Sequence, residues 1–127
     1  MKPTHPVELL ASAIATQEGY FTPGTTPSAR NNPGDIRYAG QKGALPPAKP
    51  NDIATFTSLP LGVTALHRQL WLQVAQGQTV RQIIAAWAPA GVDGNNNTAY
   101  LANVLAWTNL PADTPVLDLL PPLVKLN

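Results

Sequence analysis

The sequence predicts a mainly α-helical single domain in which a long loop region separates the first helix from the others. The chain has 127 residues, 44% of them hydrophobic, which suits one globular core. Apolar residues recur at helical spacing in several segments. Between residues 20 and 58, closely spaced prolines and glycines exclude long regular elements. We therefore expect one domain over 1–127, with a core over about 7–109 and a Pro/Leu-rich strap over 110–127.

Four segments have the periodicity of amphipathic helices: about 7–18, 61–76, 80–87 and 98–107. Thr79 and Gln82 stand at capping-box positions before the third helix, where each can satisfy the other's free backbone N–H. Pro89 is predicted to end that helix, residues 95–97 to form a turn, and Thr98 to cap the fourth helix. The strap is expected to be extended, with a short helical turn near 116–120.

The loop region over residues 20–58 is expected to form most of a binding groove. A loop of this length is unusual in a compact domain unless it is functional or disordered. Within it, residues 35–38 and 53–57 alternate enough to form short strands or a small hairpin.

The composition excludes several classes of protein. The net charge of +1, with 12% charged residues, disfavours nucleic acid as a partner and fits a neutral polymer better. The chain has no cysteine, which excludes disulfides, thiolate metal sites and cysteine nucleophiles. His5 and His67 are far apart, and no phosphate loop or dinucleotide motif is present, so neither a metal nor a cofactor is predicted. We also expect no membrane span and no secretory signal.

Glu18 is the acid that does not fit its helix. On a helical wheel it lies roughly 20° from Val7, in the middle of the apolar stripe, whereas Glu8 falls outside that stripe. It is also at the C-terminal end, where the helix dipole disfavours negative charge. Both features favour the neutral carboxylic acid that general acid catalysis requires. The alternative is that the helix ends a residue earlier and Glu18 turns to solvent or pairs with Arg30 or Arg37.

Two runs of residues resemble motifs of one known family. Residues 13–21, Ala-Ile-Ala-Thr-Gln-Glu-Gly-Tyr-Phe, resemble the catalytic-glutamate helix of soluble lytic transglycosylases and goose-type lysozymes. Residues 97–104, Asn-Thr-Ala-Tyr-Leu-Ala-Asn-Val, resemble the late motif of that family, in which a tyrosine faces the glutamate and helps to orient it. Residues 30–38 and 54–62 are similar to a phage and prophage branch of peptidoglycan-degrading domains, so the resemblance covers about residues 11–109.

The sequence departs from the family pattern at three points. Gly19 stands where a serine often follows the acid, and Asp35 stands where the phage branch usually has a neutral asparagine. The Gly-Leu-Met-Gln segment of many transglycosylases is absent, and residues 34–37 at best occupy its place.

The resemblance implies a lysozyme-like helical domain that cleaves the MurNAc–GlcNAc β-1,4 bond of peptidoglycan. It implies Glu18 as the general acid and base, supported by Tyr100. The groove segment and the motifs also predict a set of substrate-binding residues: Tyr20, Asn32, Gly34, Asp35, Arg37, Tyr38 and Thr98. For the three tryptophans, Trp71, Trp87 and Trp107, core packing is expected, because all lie on or beside apolar stripes.

The number of carboxylates favours transglycosylation over hydrolysis. A hydrolase of this type can use a second carboxylate, and Asp35 is the candidate for it in the expected groove segment. Its position after Pro-Gly is more typical of a turn residue that caps local backbone or pairs with Arg37. The alternatives are a hydrolytic muramidase or glucosaminidase, and a non-catalytic wall-binding or virion structural domain.

The expected partner is the glycan strand of peptidoglycan, and the expected place of action is the bacterial cell wall. Since no signal peptide is recognised, release by a holin, a place in a phage particle and excision from a larger protein are all expected routes. The chain is expected to be a monomer or part of a larger phage protein or particle.

Overall fold

The computed structural model describes residues 4–88 and 97–121, and it confirms a mainly α-helical fold. The helices are α1 (Pro6–Gln17), α2 (Thr26–Ala29), α3 (Leu59–Ala75), α4 (Val80–Trp87) and α5 (Asn97–Thr108), followed by a 3₁₀ turn over Val116–Leu119. No helix within the described ranges is long and apolar enough to cross a membrane.

The helix predictions differ from the structure mainly at the ends. The capping box is confirmed, because Thr79 Oγ1 accepts from the Gln82 N–H at 3.2 Å and Gln82 Oε1 accepts from the Thr79 N–H at 2.9 Å. Helix α3 begins two residues earlier than predicted, with Pro60 in its first turn, where a missing N–H costs nothing. The prediction that Thr98 caps the last helix is wrong, because α5 already includes Asn97. Pro89 and residues 95–96 lie outside the described residues.

Helix α1 lies at the centre of the main core and contacts both α3 and α5. Its side chains are buried on nearly every face, and Leu10 and Ile14 are fully inaccessible. Burying each such side chain contributes about 1.5–3 kcal/mol. Leu70 from α3, Ile83 from α4 and Val104 from α5 complete this core. Glu18, which directly follows α1, therefore lies at the end of the central helix of the core.

The loop region forms isolated β-bridges, not the predicted strands or hairpin. Residues 36–38 pair with 52–54 through the Arg37–Ile53 bridge, and residues 43–45 pair with 55–57 through the Ala44–Phe56 bridge. The 53–57 segment thus changes partner midway, so neither pairing extends into a ladder. Within this region, Ala54 and Phe56 pack against Ala65 of α3 in a second small core.

Candidate functional site

Glu18 caps the C-terminus of α1 and still follows the helical path. The helix ends at Gln17, one residue earlier than predicted, but Glu18 has φ −76° and ψ −6° and donates its N–H to the Ile14 carbonyl at 2.8 Å. Glu18 therefore keeps the direction that the helical wheel predicts, although the helix ends one residue earlier. Arg30, the alternative partner, instead lies 3.5 Å from Asp52 and donates to the Ile53 carbonyl.

Gly19 allows the chain to leave α1 directly after Glu18. Its φ of +82° lies in the left-handed region, which costs other residues about 1–2 kcal/mol. The Gly19 N–H bonds to the Thr16 carbonyl and the Tyr20 N–H to the Ala15 carbonyl, the two bonds of a Schellman cap. A glycine directly after Glu18 thus has a structural reason in this chain.

Tyr100 of α5 contacts Glu18, as predicted. Its side chain is buried, and its hydroxyl donates to Glu18 Oε2 at 2.6 Å. Burial, reinforced by the negative charge of Glu18, raises the pKa of Tyr100 far above its ordinary value. Tyr100 therefore stays a neutral phenol and acts as a hydrogen-bond donor. Its part in catalysis stays a prediction.

Asp35 is the third member of this cluster. Its backbone is left-handed, with φ +51°, as expected of a turn residue. Its side chain is nevertheless hydrogen-bonded to Glu18, and its charge acts on both Glu18 and Tyr100. Asp35 is thus a turn residue and a member of the site at once. We refer to Glu18, Asp35 and Tyr100 as the carboxyl cluster.

The carboxyl cluster holds Glu18 near the midpoint of its titration at neutral pH. Burial raises the pKa of Glu18 from its ordinary value of 4.5 to about 7, the hydrogen bond from Tyr100 opposes this rise, and the charge and hydrogen bond of Asp35 add to it. A general acid and base works best when its pKa is close to the working pH. The protonated and ionised forms of Glu18 are therefore both available near pH 7.

Asn32 builds the turn that carries Asp35. Its amide nitrogen donates to the Ile36 and Ala54 carbonyls at 2.9 and 2.8 Å, and its oxygen accepts from the Ile36 N–H at 3.0 Å. The side chain is fully buried. The Asn32 amide thus hydrogen-bonds to the protein's own backbone and holds the turn, and its binding of substrate stays a prediction.

Gly34 is buried as well, and its contact with substrate stays a prediction. A Cβ there would lie 3.0 Å from both Leu66 and Trp87, so the turn packs directly on α3 and α4. The Gly34 carbonyl accepts from the Trp87 indole N–H at 2.9 Å.

Trp87 packs against the main core as expected, whereas Trp71 and Trp107 are 43% and 37% exposed, contrary to the core prediction.

Trp87 helps to build the site through a hydrogen bond that the sequence did not predict. Its apolar spacing with Ile83 and Ile84 indicates packing, but its hydrogen-bond partner is 53 residues away in the chain. Phe21 was also missed. It is 66% exposed and its ring meets Tyr20 edge-on, with centroids 5.3 Å apart, so two aromatic rings follow closely after Glu18.

The remaining predicted residues are spread over the loop region and α5. Tyr20 is half-buried, in the aromatic pair just described. Arg37 is exposed and donates to the Asn51 carbonyl. Tyr38 is half-buried and packs against the second core, and Thr98 is exposed on α5. The structure thus brings both Tyr100 and Asp35 to Glu18, while substrate binding by the others stays a prediction.

Metal ligation has no support among residues 4–88 and 97–121, where no group of three or more His, Cys, Asp or Glu side chains could hold an ion. His67 Nε2 lies 3.0 Å from Glu8, and His5 Nδ1 caps α1 by accepting from the Val7 N–H. His67 therefore links α3 to α1, and His5 caps the N-terminus of α1.

Comparisons with protein-family models, with curated proteins and with solved structures find no match to this chain. The fold and the site define a mainly α-helical domain with a half-buried, hydrogen-bonded carboxyl cluster at the end of its central helix.

Proposed function

We propose that this chain cleaves the MurNAc–GlcNAc β-1,4 bond of peptidoglycan, with Glu18 as general acid and base, as a lytic transglycosylase. The observation that carries the proposal is the state of Glu18, whose pKa is raised to about 7 and whose carboxyl is held by Tyr100 and Asp35. The motif resemblance around Glu18 and Tyr100 supplies the substrate class. A lysozyme-like arrangement of the helices, with the bacterial wall as the place of action, is part of this proposal.

One carboxyl group is enough for both proton transfers of a transglycosylase. Protonated Glu18 gives its proton to the glycosidic oxygen as the bond between that oxygen and MurNAc C1 breaks, so GlcNAc leaves with a free 4-hydroxyl. The Glu18 carboxylate then takes the proton of the MurNAc C6 hydroxyl while O6 bonds to C1. The product is a 1,6-anhydro sugar, Glu18 is protonated again, and no water is consumed.

Tyr100 and Asp35 favour different halves of this cycle. The Tyr100 hydroxyl donates to Oε2 and stabilises the carboxylate, which leaves Oε1 to carry the proton. Asp35 raises the pKa of Glu18 by charge and by hydrogen bonding, so it stabilises the protonated form. The two neighbours thus balance the acid and base forms of one residue.

The interaction of Asp35 with Glu18 favours a transglycosylase over a two-carboxylate hydrolase. Retaining hydrolases use their second carboxylate as a nucleophile, and inverting hydrolases use it to activate a water. Asp35 instead acts on Glu18 itself, by its charge and by a side-chain hydrogen bond that raise the pKa of Glu18. Asp35 is therefore proposed to tune Glu18, without acting as nucleophile or water base.

Digestion of purified sacculi followed by mass spectrometry of the soluble products tests this function. We expect muropeptides that end in 1,6-anhydromuramic acid. Reducing-end muramic acid would identify a muramidase, and reducing-end glucosamine a glucosaminidase. Sacculi that bind the protein but release nothing would contradict the enzyme and favour a wall-binding or structural domain.

A further inference from the structure

A groove of about 610 Å³ lies between residues 36–42 of the loop region and the outer face of α3. We call it the α3 groove. It does not include Glu18 or Tyr100, but it begins at Ile36, the residue that follows Asp35 in the chain. Pockets for small ligands in proteins commonly enclose about 300–1,000 Å³, so its size suits a short peptide or a comparable molecule.

The floor of the α3 groove is apolar. Leu61, Ala65 and Leu72 lie four and seven residues apart, on one stripe of α3, and line the groove together with Ile36. Ala65 is buried in the second small core and Leu61 packs against it, whereas Leu72 is 46% exposed and provides most of the open apolar surface. An occupant with short apolar side chains can cover it.

The rim of the α3 groove is cationic and amide-bearing. Lys42 and Arg68 both line it, together with Gln41 and Gln69, and no described lining residue is an acid. In the part of the chain that the structure describes, neither Lys42 nor Arg68 forms an ion pair. Gln41 fixes the shape of the rim, because its side chain bonds to the Arg37 carbonyl and the Ala39 N–H. The rim therefore favours a ligand that carries carboxylates.

We propose that the α3 groove binds the carboxylate-bearing stem peptide of the peptidoglycan strand that Glu18 cleaves. The inference rests on the proposed function for its choice of ligand. The stem peptide is attached to the muramic acid residue through a lactyl ether, and it combines alanine methyl groups with free carboxylates, which match the apolar floor and the cationic rim. Because Ile36 directly follows Asp35, a peptide attached to a sugar at the carboxyl cluster has a short path to the groove.

Binding is measured without turnover by titrating the full chain with an N-acetylated stem tetrapeptide by isothermal calorimetry or NMR. Lys42→Gln and Arg68→Gln are each expected to weaken binding by about two- to fivefold, the scale of one exposed ion pair. Lys49→Gln is the matched control, because Lys49 is exposed and does not line the groove. The same peptide with its carboxylates amidated is expected to bind weakly or not at all.

Three results would overturn the α3 groove as a peptide site: no binding by the parent, equal affinity for the amidated peptide, or equal affinity in Lys42→Gln, Arg68→Gln and the control. The proposed function is tested separately, with the parent acting on glycan strands from which an amidase has removed the stem peptides. Anhydro products from these strands, without peptide binding, would contradict the peptide site but support the proposed enzymatic function. Peptide binding without cleavage of any strand would contradict the enzymatic function but support the peptide site.

Discussion

Replacing Asp35 with asparagine isolates the effect of its charge on Glu18. The amide oxygen of the asparagine side chain can still accept the Glu18 hydroxyl proton, so the change removes the negative charge and keeps the hydrogen-bond acceptor. Because that charge raises the pKa of Glu18, we expect Asp35→Asn to lower it. Protonated Glu18 is the general acid, so the alkaline limb of the pH–rate profile moves to lower pH.

The order of the causes limits the size of this shift. The pKa of Glu18 rises from 4.5 to about 7, and burial, which Asp35→Asn leaves in place, is the largest cause. Since the charge of Asp35 ranks behind both burial and the Tyr100 hydrogen bond, we expect the alkaline limb to move by only part of that rise, on the order of 1 pH unit. At mildly acidic pH, where Glu18 is protonated in both proteins, turnover should stay near that of the parent.

The assay is the rate of muropeptide release from sacculi between pH 4 and 9, with Asp52→Asn as the control, because Asp52 pairs with Arg30 outside the carboxyl cluster. An unchanged alkaline limb would refute the charge argument. Loss of activity at every pH, with reducing-end muramic acid among the products, would make Asp35 a catalytic carboxylate and the protein a hydrolase.

Three further substitutions, one of them with a matched control, test the parts that hold the carboxyl cluster. Tyr100→Phe should lower turnover by about 10- to 1000-fold and move the alkaline limb to higher pH, and a parental rate would reduce the tyrosine to packing. Gly19→Ala and Gly77→Ala, at φ +82° and +79°, should each lower the free energy of unfolding by about 1–2 kcal/mol in denaturant titrations, but only Gly19→Ala should also lower turnover. Asn32→Ala should lower the free energy of unfolding by about 3 kcal/mol, because its side chain makes three hydrogen bonds to backbone groups of Ile36 and Ala54. A loss under 1 kcal/mol would contradict that role.

The features that the sequence predicted well depend on local signals. Helix α4 and its capping box follow from residues three apart, and the inward direction of Glu18 follows from helical spacing alone. The Glu18–Tyr100 contact joins residues 82 apart and could be expected only through the motif resemblance.

The features that it missed depend on how distant segments meet. Asn32 looks like an ordinary turn former, and nothing local reveals that the Ala54 carbonyl, 22 residues away, needs a donor inside the core. The left-handed turn at Asp35 was foreseeable, but its contact with Glu18 requires that the whole turn pack under Trp87. For the same reason, isolated bridges form in place of the two predicted strands, because the two halves of the 53–57 segment pair with different parts of the loop region.

The pH dependence of stability reports on Glu18 without any substrate. Its pKa is higher in the folded protein, about 7, than its ordinary value of 4.5. The folded state therefore binds the proton more tightly, so this contribution to the free energy of unfolding is full below pH 4.5 and is lost as the pH rises through about 7. Denaturant titrations of the parent should show this loss, and Glu18→Gln should remove it. An equal slope in both proteins would contradict the raised pKa.

Release of soluble muropeptides from sacculi by Glu18→Gln tests the central claim most directly. Glutamine keeps the size of the side chain and its acceptor for Tyr100, but it cannot transfer a proton. We expect release to fall at least 100-fold, with an unchanged circular dichroism spectrum. Glu8→Gln, an exposed acid on the same helix, should release anhydro products at the parental rate. Substantial release by folded Glu18→Gln protein would contradict the assignment of Glu18 as the proton-transferring residue.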